Sequence, residues 1–464
     1  MSDSISSASS SRSNSPAWLS PRVYAKFWRL HFYAGFILAP LIIWLCVTGI
    51  LYVIGPQVEA WMYKDYLAVQ PQGEQASFDA QVAAAQAAFP DMMAMQFHPS
   101  KAADQTSYVV MSSHAEAHST QMRHSGPTDD VEVYINPYTA QVVGSLRVEE
   151  KYARRMMDLH GTLYIGDAGR LLTELGTVWS LVLVLTGLYL WMPQKWGKVW
   201  GVWAPRIRQW KGRIWWRDFH SVGGMYLTVI MLAFLTTALM ITFSSGTIFA
   251  LSKVFTKQMP PAIPAALKSI PIEGQAGQVV TIQSLKEIAA DMNMLDSYMI
   301  TLPMDASGFF KISADYGMGK PEARHDISVD QYSGKIVFET GWDKYPIMTK
   351  LTIWGLSFHF GVLWGAATQI LGILACLGLI FFTVSGVVMW WKRRPANAWA
   401  LPKTVPGGLK PFPKGLVVLM VMLCILQPTL GISMLIGLGV DWLVVKYIAR
   451  RNPNKPTGSV AARV

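Results

Sequence analysis

The stretch "FWRLHFYAGFILAPLIIWLCVTGILY", residues 27–52, decides the fold class. After Phe27, Trp28 and Arg29 it stays apolar to Tyr52, long enough to cross a hydrocarbon core of about 30 Å. Yet His31 stands about one helical turn inside it, where an ionisable group needs a reason. Working outward, apolar runs fall at 30–53, 170–192, 221–245, 366–391 and 416–440. With 52% hydrophobic residues, 15% charged residues and a mean hydropathy of +0.27, the 464-residue chain reads as a polytopic membrane protein. The first run is too long for a signal peptide and lacks a small-residue cleavage site, so it is expected to stay in the membrane. The Ser-rich "MSDSISSASSSRSNSPAW" before it predicts a disordered tail.

The net charge of +11 is unevenly spread. "KWGKVWGVWAPRIRQWKGRIWWR" (195–217) has seven Lys or Arg and no acid, and "KRRPANAWALPKTVPGGLKPFPK" (392–414) has six and none. Segments 55–158 and 250–350 hold at least as many acids as bases. The positive-inside rule then predicts that the basic loops and the N-terminus are cytoplasmic and the two long segments periplasmic. Topology accounts for the basic charge, and no nucleic-acid partner is implied. Cys46, Cys376 and Cys424 all lie in apolar runs, so neither a disulfide nor a thiol metal site is expected.

The chain also repeats itself. With His31 set on His220, "WRLHFYAG" meets "WRDFHSVGG", and Gly35 falls on Gly224 and Thr48 on Thr237. With His160 set on His359, Gly166 falls on Gly365, Thr186-Gly187 on Ser385-Gly386, and Trp191 on Trp390. Between them "INPYTAQVV" (135–143) matches "VDQYSGKIV" (329–337). Each long segment opens on a helix-like run, "FDAQVAAAQAAF" (78–89) or "IQSLKEIAADM" (282–292), followed by strand-like alternation as in "SYVVMSS", "VEVYI", "SYMITL" and "FFKISA".

The expected fold is therefore a membrane α-helical bundle with two periplasmic α+β lobes, a tandem duplication of helix–lobe–helix plus a fifth C-terminal helix. In order, the plan is a tail (1–26), a first span (27–54), a lobe (55–158), a lead-in with the second span (159–193) and a cytoplasmic loop (194–217). A third span (218–249), a second lobe (250–350), a lead-in with the fourth span (351–392), a loop (393–415), the fifth span (416–447) and a tail (448–464) follow. The fifth span has no counterpart in the repeat. Its basic flank "KYIARR" falls on what should be the outer side, so either the charge rule fails there or Pro428 and the glycines of "GISMLIGLG" break the helix.

These features resemble the PepSY-associated transmembrane proteins of bacterial inner membranes. The resemblance rests on "WRLHFYAGFILAPLIIWLCVTGILY", "LHGTLYIGDAGRLLTELGTVWSLVLVLTGLYLWMP", "WWRDFHSVGGMYL" and "FHFGVLWGAATQILGILACLGLIFFTVSGVVMWWKRRP", and with the lobes it covers residues 25–395. It implies PepSY-like lobes and a haem-containing reductase that helps release iron from ferric siderophores at the periplasmic face.

Four of the nine histidines occupy matched places: His31 and His220 at the starts of spans one and three, His160 and His359 just before spans two and four. Each alone fits a histidine hydrogen-bonded at headgroup level. A parallel repeat, however, sets its copies around an axis along the membrane normal, so matched histidines can face each other and ligate haem iron. His31 with His220 would hold one haem b near the cytoplasm, and His160 with His359 a second near the periplasm; the symmetry permits one haem or two and demands neither. Gly35 and Gly224 would make room for a macrocycle or simply pack helices closely. Most tryptophans, Trp191, Trp196, Trp200, Trp390 and Trp391 among them, read as interfacial anchors.

Trp342, Tyr345, Trp354 and Trp364, near His359, are candidates for a ferric-chelate docking surface between the lobes and the membrane, although an interfacial belt explains them equally well. "SSHAEAHSTQMRHSG" (112–126) holds His114, His118 and His124, which read either as a transition-metal site or as a solvated loop. The sequence has no dinucleotide fingerprint, P-loop or H-E-x-x-H, so electrons would come from quinol or a cytoplasmic donor. Glu174 is the one acid that stands out in the four main spans. Two other functions compete: transport of haem or an iron chelate, and a membrane-anchored periplasmic binding or sensor module.

Overall fold

The computed structural model describes residues 21–113, 129–193, 197–208, 212–272, 280–294, 297–314, 319–394 and 414–451. The Ser-rich tail, His114, His118, His124, Trp196, most of the second basic loop and most of the C-terminal tail lie outside them. In chain order the first half holds α1 (Pro21–Ile37), α2 (Ala39–Val53), α3 (Gly55–Met62), α4 (Lys64–Leu67) and α5 (Phe78–Ala88). Strands β1 (Met93–His98), β2 (Ser107–Ser112), β3 (Val131–Ile135) and β4 (Val142–Arg147) come next, then α6 (Tyr152–Gly161) and α7 (Gly166–Trp191). The second half holds α8 (Arg213–Ala238), α9 (Phe243–Phe255) and α10 (Ser284–Asp291), then β5 (Tyr298–Thr301), β6 (Phe309–Ala314), β7 (His325–Asp330) and β8 (Ile336–Gly341). It closes with α11 (Ile347–His359), α12 (Ala366–Arg393), α13 (Lys414–Leu426) and α14 (Pro428–Arg451).

α7, α8 and α12, with 26, 26 and 28 residues, are long and apolar enough to cross a membrane, as a helix rising about 1.5 Å per residue requires. α1 and α2 together form a fourth candidate, bent by 62° at the break between Ile37 and Ala39. Pro40 explains the break: it has no amide hydrogen to donate and its ring crowds the carbonyl four residues back. The chain is thus a membrane protein with three or four apolar spans among its described residues. Over 416–447, where a fifth span or a broken helix is expected, two helices meet at Pro428, and Pro428–Gly437 is a short apolar stretch of the second. Proline again starts a new helix because it cannot continue the old one.

The chain packs as two units. One comprises residues 1–40, 178–228 and 381–464, the other 41–177 and 229–380, with boundaries that fall inside α2, α7, α8 and α12.

All eight strands belong to the second unit and form one antiparallel sheet in the order β4-β3-β2-β1-β5-β6-β7-β8. The two separate lobes expected from the sequence are therefore one body. β1 pairs with β5 through Gln96↔Thr301 and Phe97↔Ile300, and the Leu302 amide donates to the Met95 carbonyl at 2.9 Å. A single core runs under both halves, built from alternate strand residues such as Phe97, Val133, Ile300, Ile312 and Ile327 against Phe78 and Leu285 of α5 and α10. The two helices also cap each other. Asp79 accepts the Ile282 and Gln283 amides at 2.8 and 2.9 Å, and the Gln283 side chain accepts the Phe78 amide at 2.9 Å.

The other face of the sheet is polar. Lys151 donates to both carboxylate oxygens of Glu132 at 2.9–3.0 Å, and the Tyr134 hydroxyl donates to one of them. On the matching strand, Asp326 accepts from Ser313 at 2.6 Å and Tyr345 at 3.0 Å and pairs with Lys311 at 3.3 Å. Burial alone would raise the Asp326 carboxyl; the Lys311 charge and these hydroxyls outweigh it and hold the group below its ordinary value. Burial and the same carboxylate push Tyr345 up to about 12.

Candidate functional site

The four matched histidines reach their places on different elements. His31 lies within α1 and His220 within α8, whereas His160 and His359 stand at or near the C-terminal ends of the short helices α6 and α11. Left-handed turns at Leu163, Tyr164 and Gly166 link α6 to α7, and Gly361 and Gly365 play that part between α11 and α12. Every one of the four is half-buried.

In the first unit, His31 Nδ1 lies 2.9 Å from Thr186 Oγ1 of α7, and His220 Nδ1 lies 2.8 Å from Ser385 Oγ of α12. In the second, His160 Nδ1 lies 3.0 Å from Thr48 Oγ1 of α2, and His359 Nδ1 lies 3.4 Å from Thr237 Oγ1 of α8. Each hydroxyl donates its own hydrogen to a carbonyl of its helix: Thr48 to Trp44 at 2.9 Å, Thr186 to Val182 at 2.7 Å, Thr237 to Ala233 at 2.8 Å and Ser385 to Phe382 at 3.0 Å. Its oxygen is left to accept, so Nδ1 must carry the proton.

A second acceptor agrees. The Phe234 carbonyl, three residues before Thr237, also lies 3.1 Å from His359 Nδ1. A carbonyl can only accept. All four imidazoles are therefore fixed as the Nδ1–H tautomer, with a bare lone pair on Nε2, the atom a metal takes.

The structure brings His31 and His220 together, with ring centres 6.2 Å apart and planes at 80°. Two imidazoles bound to opposite sides of one metal at about 2.0 Å each would place their ring centres about 6.3 Å apart. Among the described residues, no group of three or more His, Cys, Asp or Glu is placed to cage a bare ion. A pair of imidazoles suits a metal that brings its remaining ligands with it, as a porphyrin does.

Glycine makes the contact closer at Gly187 and Gly49, whereas at Gly386 a Cβ would be in ordinary contact. A Cβ on Gly187 would lie 3.2 Å from His31 Cε1, one on Gly49 3.3 Å from His160 Cε1, and one on Gly386 3.9 Å from His220 Cε1. The hydroxyl residues are the part that sequence reasoning missed. Thr48, Thr186, Thr237 and Ser385 served only as landmarks of the repeat, although a hydroxyl followed by glycine inside an apolar run was the available signal for all but Thr237, which Ala238 follows.

Other candidates resolve differently. Glu174 is fully buried and wholly engaged at the start of α9, accepting the Ser244 and Ser245 amides at 2.8 and 3.2 Å and both hydroxyls. Tyr345 is corrected as a docking candidate: it is buried against Asp326. Trp342 lies under the Lys350 ammonium. Trp354 and Trp364 are exposed, 6.1 Å apart at right angles, and Trp364 packs on Phe358, next in the chain to His359.

No curated protein matches the chain. The family model described as "PepSY-associated TM region" matches residues 28–393, a span that holds all four histidines and all four hydroxyls.

Proposed function

Because the chain belongs to the PepSY-associated TM region family, we propose that it is a bacterial inner-membrane b-type haem protein that passes electrons outward to reduce ferric iron at the periplasmic face. The iron would arrive held by a siderophore or another ferric chelate, and the reducing electrons would come from quinol or a cytoplasmic donor. The observation that carries this reading is the fourfold arrangement of imidazoles, each with Nδ1–H engaged and Nε2 bare. His31 with His220 would hold one haem, and His160 with His359 a second. Haem b held by two imidazoles would supply a one-electron couple, which suits electron transfer rather than oxygen chemistry.

The protein's own residues orient and shield. The hydroxyls fix each ring, Gly49 and Gly187 let their rings approach a neighbouring helix, and the apolar spans keep water away. The matched hydroxyl contacts, the matched element orders and the reciprocal caps of α5 and α10 support a tandem duplication. The Lys/Arg distribution supports a cytoplasmic place for the first pair and a periplasmic one for the sheet and the second pair. The exposed Trp354 and Trp364, beside the His359 turn, are the best-placed surface for a chelate.

Haem per chain, measured as the pyridine haemochrome, tests the reading together with four alanine variants. His31→Ala and His220→Ala should lose the same spectral component, and His160→Ala and His359→Ala a different shared one. In liposomes, His359→Ala should leave the first haem reducible from the donor side and abolish reduction of an external ferric chelate. Colourless protein after expression with ample haem would instead favour a membrane-anchored binding module. Passage of haem or chelate into the lumen would favour transport.

A further inference from the structure

Two helices of the second unit leave apolar sides exposed. α9 carries Ile248, Leu251, Val254 and Phe255 along one side, with Phe255 81% exposed, and α11 carries Ile347 and Leu351 one turn apart, with Ile347 63% exposed. The helices lie side by side. Thr349 Oγ1 donates to the Gln258 carbonyl at 2.6 Å, the Met348 amide donates to the Gln258 side chain at 3.3 Å, and Lys253 Nζ donates to Thr352 Oγ1 at 3.5 Å. The exposed stripes therefore belong to one packed pair.

Both helices are tied closely to the ends of spans. Residues 239–242 join α8 to α9, and the Met240 and Ile241 amides close that link by donating to the Thr237 and Ala238 carbonyls at 3.2 and 3.0 Å. Residues 360–365 join α11 to α12, turned by Gly361 and Gly365 in the left-handed region and closed by the Leu363 amide on the Ser357 carbonyl at 3.1 Å. A span of 26 residues is about 39 Å long and exceeds a hydrocarbon core of about 30 Å. Its ends reach the headgroups, and a helix joined to it by so short a turn is kept at that level. Charge agrees: residues 243–259 hold Lys253 and Lys257 and no acid, and residues 347–359 hold Lys350 and no acid. A lysine stem lies along apolar surface while its ammonium stays among headgroups. A lead-in helix does not by itself demand an apolar stripe, since α6, in the same place before α7, exposes Arg155 and no large apolar side chain.

We propose that α9 and α11 form an in-plane seat that rests in the headgroup region of the bilayer and buries Ile248, Leu251, Val254, Phe255, Ile347 and Leu351 against acyl chains. The occupant of this face is lipid because the span ends hold it where lipid is the surrounding medium, and an apolar stripe flanked by lysines is what an interfacial helix presents there. Trp354, next on the α11 stripe, gives its indole hydrogen to Glu322 at 2.9 Å, so the stripe ends on a polar partner. The inference needs α8 and α12 to be spans and is independent of any haem.

Photo-crosslinking of the full-length protein in nanodiscs of phosphatidylcholine and phosphatidylglycerol tests it, with two benzophenone phospholipids as probes. One carries the photogroup beside the glycerol backbone and the other at the acyl-chain end, and labelled peptides are located by mass spectrometry. The glycerol-side probe should label 247–259 and 347–354 several-fold more than 152–161, and the chain-end probe should label the middle of α12 while sparing α9 and α11. Labelling of α12 with none on α9 or α11, crosslinks from these helices to a second copy of the chain in place of lipid, or equal labelling of α6 would overturn the seat. Chain-end labelling of α9 as heavy as that of α12 would overturn its in-plane placement. None of these results bears on haem content, so the seat and the haem reading fail separately.

Discussion

Replacing Asp79 by alanine tests whether the sheet-bearing part of the molecule is one body. Asp79 accepts the Ile282 and Gln283 amides at 2.8 and 2.9 Å and places its carboxylate at the start of α10. Losing such a cap costs about 1 kcal/mol, and losing a negative charge at a helix N-terminus adds about 0.3–1 kcal/mol. Orphaning a second amide brings the sum to about 2 kcal/mol. Free energy of that size is roughly a 30-fold change in an opening equilibrium.

Amide hydrogen exchange of the full-length protein in detergent reads it directly. In Asp79→Ala the Ile282 and Gln283 amides should exchange about 30-fold faster. Gln283→Ala removes only one neutral bond, to the Phe78 amide at 2.9 Å, and should speed that amide about fivefold, for about 1 kcal/mol. Wild-type exchange at Ile282 and Gln283 in Asp79→Ala, or a larger effect from Gln283→Ala, would refute the reciprocal cap.

Three further outcomes are expected. Glu174→Ala orphans two amides at the start of α9 at about 1–3 kcal/mol each, so the melting midpoint followed by size exclusion after heating should fall clearly, and Glu174→Gln should fall less; equal midpoints for all three proteins would contradict the anchor. The Asp326 carboxyl is held below its ordinary value in the folded state, so its contribution is fully present above about pH 4, the unfolded value, and is lost as pH falls through the folded one. Asp326→Asn should therefore flatten the acid limb of the stability curve, and an unchanged limb would remove Asp326 from the account. A thiol placed at Lys335 should react with an impermeant reagent added outside intact spheroplasts and one at Arg208 should not, whereas labelling of the Arg208 site would invert the topology.

The apolar spans and the helix-then-strand order of the external segments were legible because hydrophobic length and alternation are local properties. The four histidines stood out for the same reason, as polar residues at equal offsets in repeated apolar text. Pro40 left no comparable mark, since its neighbours are apolar enough to read as an unbroken run, and only the bend after Ile37 reveals its effect. Pairing of Gln96 with Thr301 across some two hundred residues leaves no local trace at all: either strand would look the same at a free edge. Tyr345 was misread because exposure depends on Asp326, a partner on another strand.

The seam between β1 and β5 has the geometry of a two-fold axis. Strands β1 and β5 pair antiparallel, and near the starts of α5 and α10 the side chains of Asp79 and Gln283 each take the amide of the residue just before the other, Ile282 or Phe78. Such a join is isologous: the same patch meets itself, so either half carries both sides of the contact. A single half would be completed by a second copy of itself, at a rate and to an extent set by how many copies were present. Linking the halves in one polypeptide replaces that dependence with a fixed effective concentration of about millimolar order, and on the proposed duplication it would leave the two halves free to differ, as Asp79 and Gln283 do.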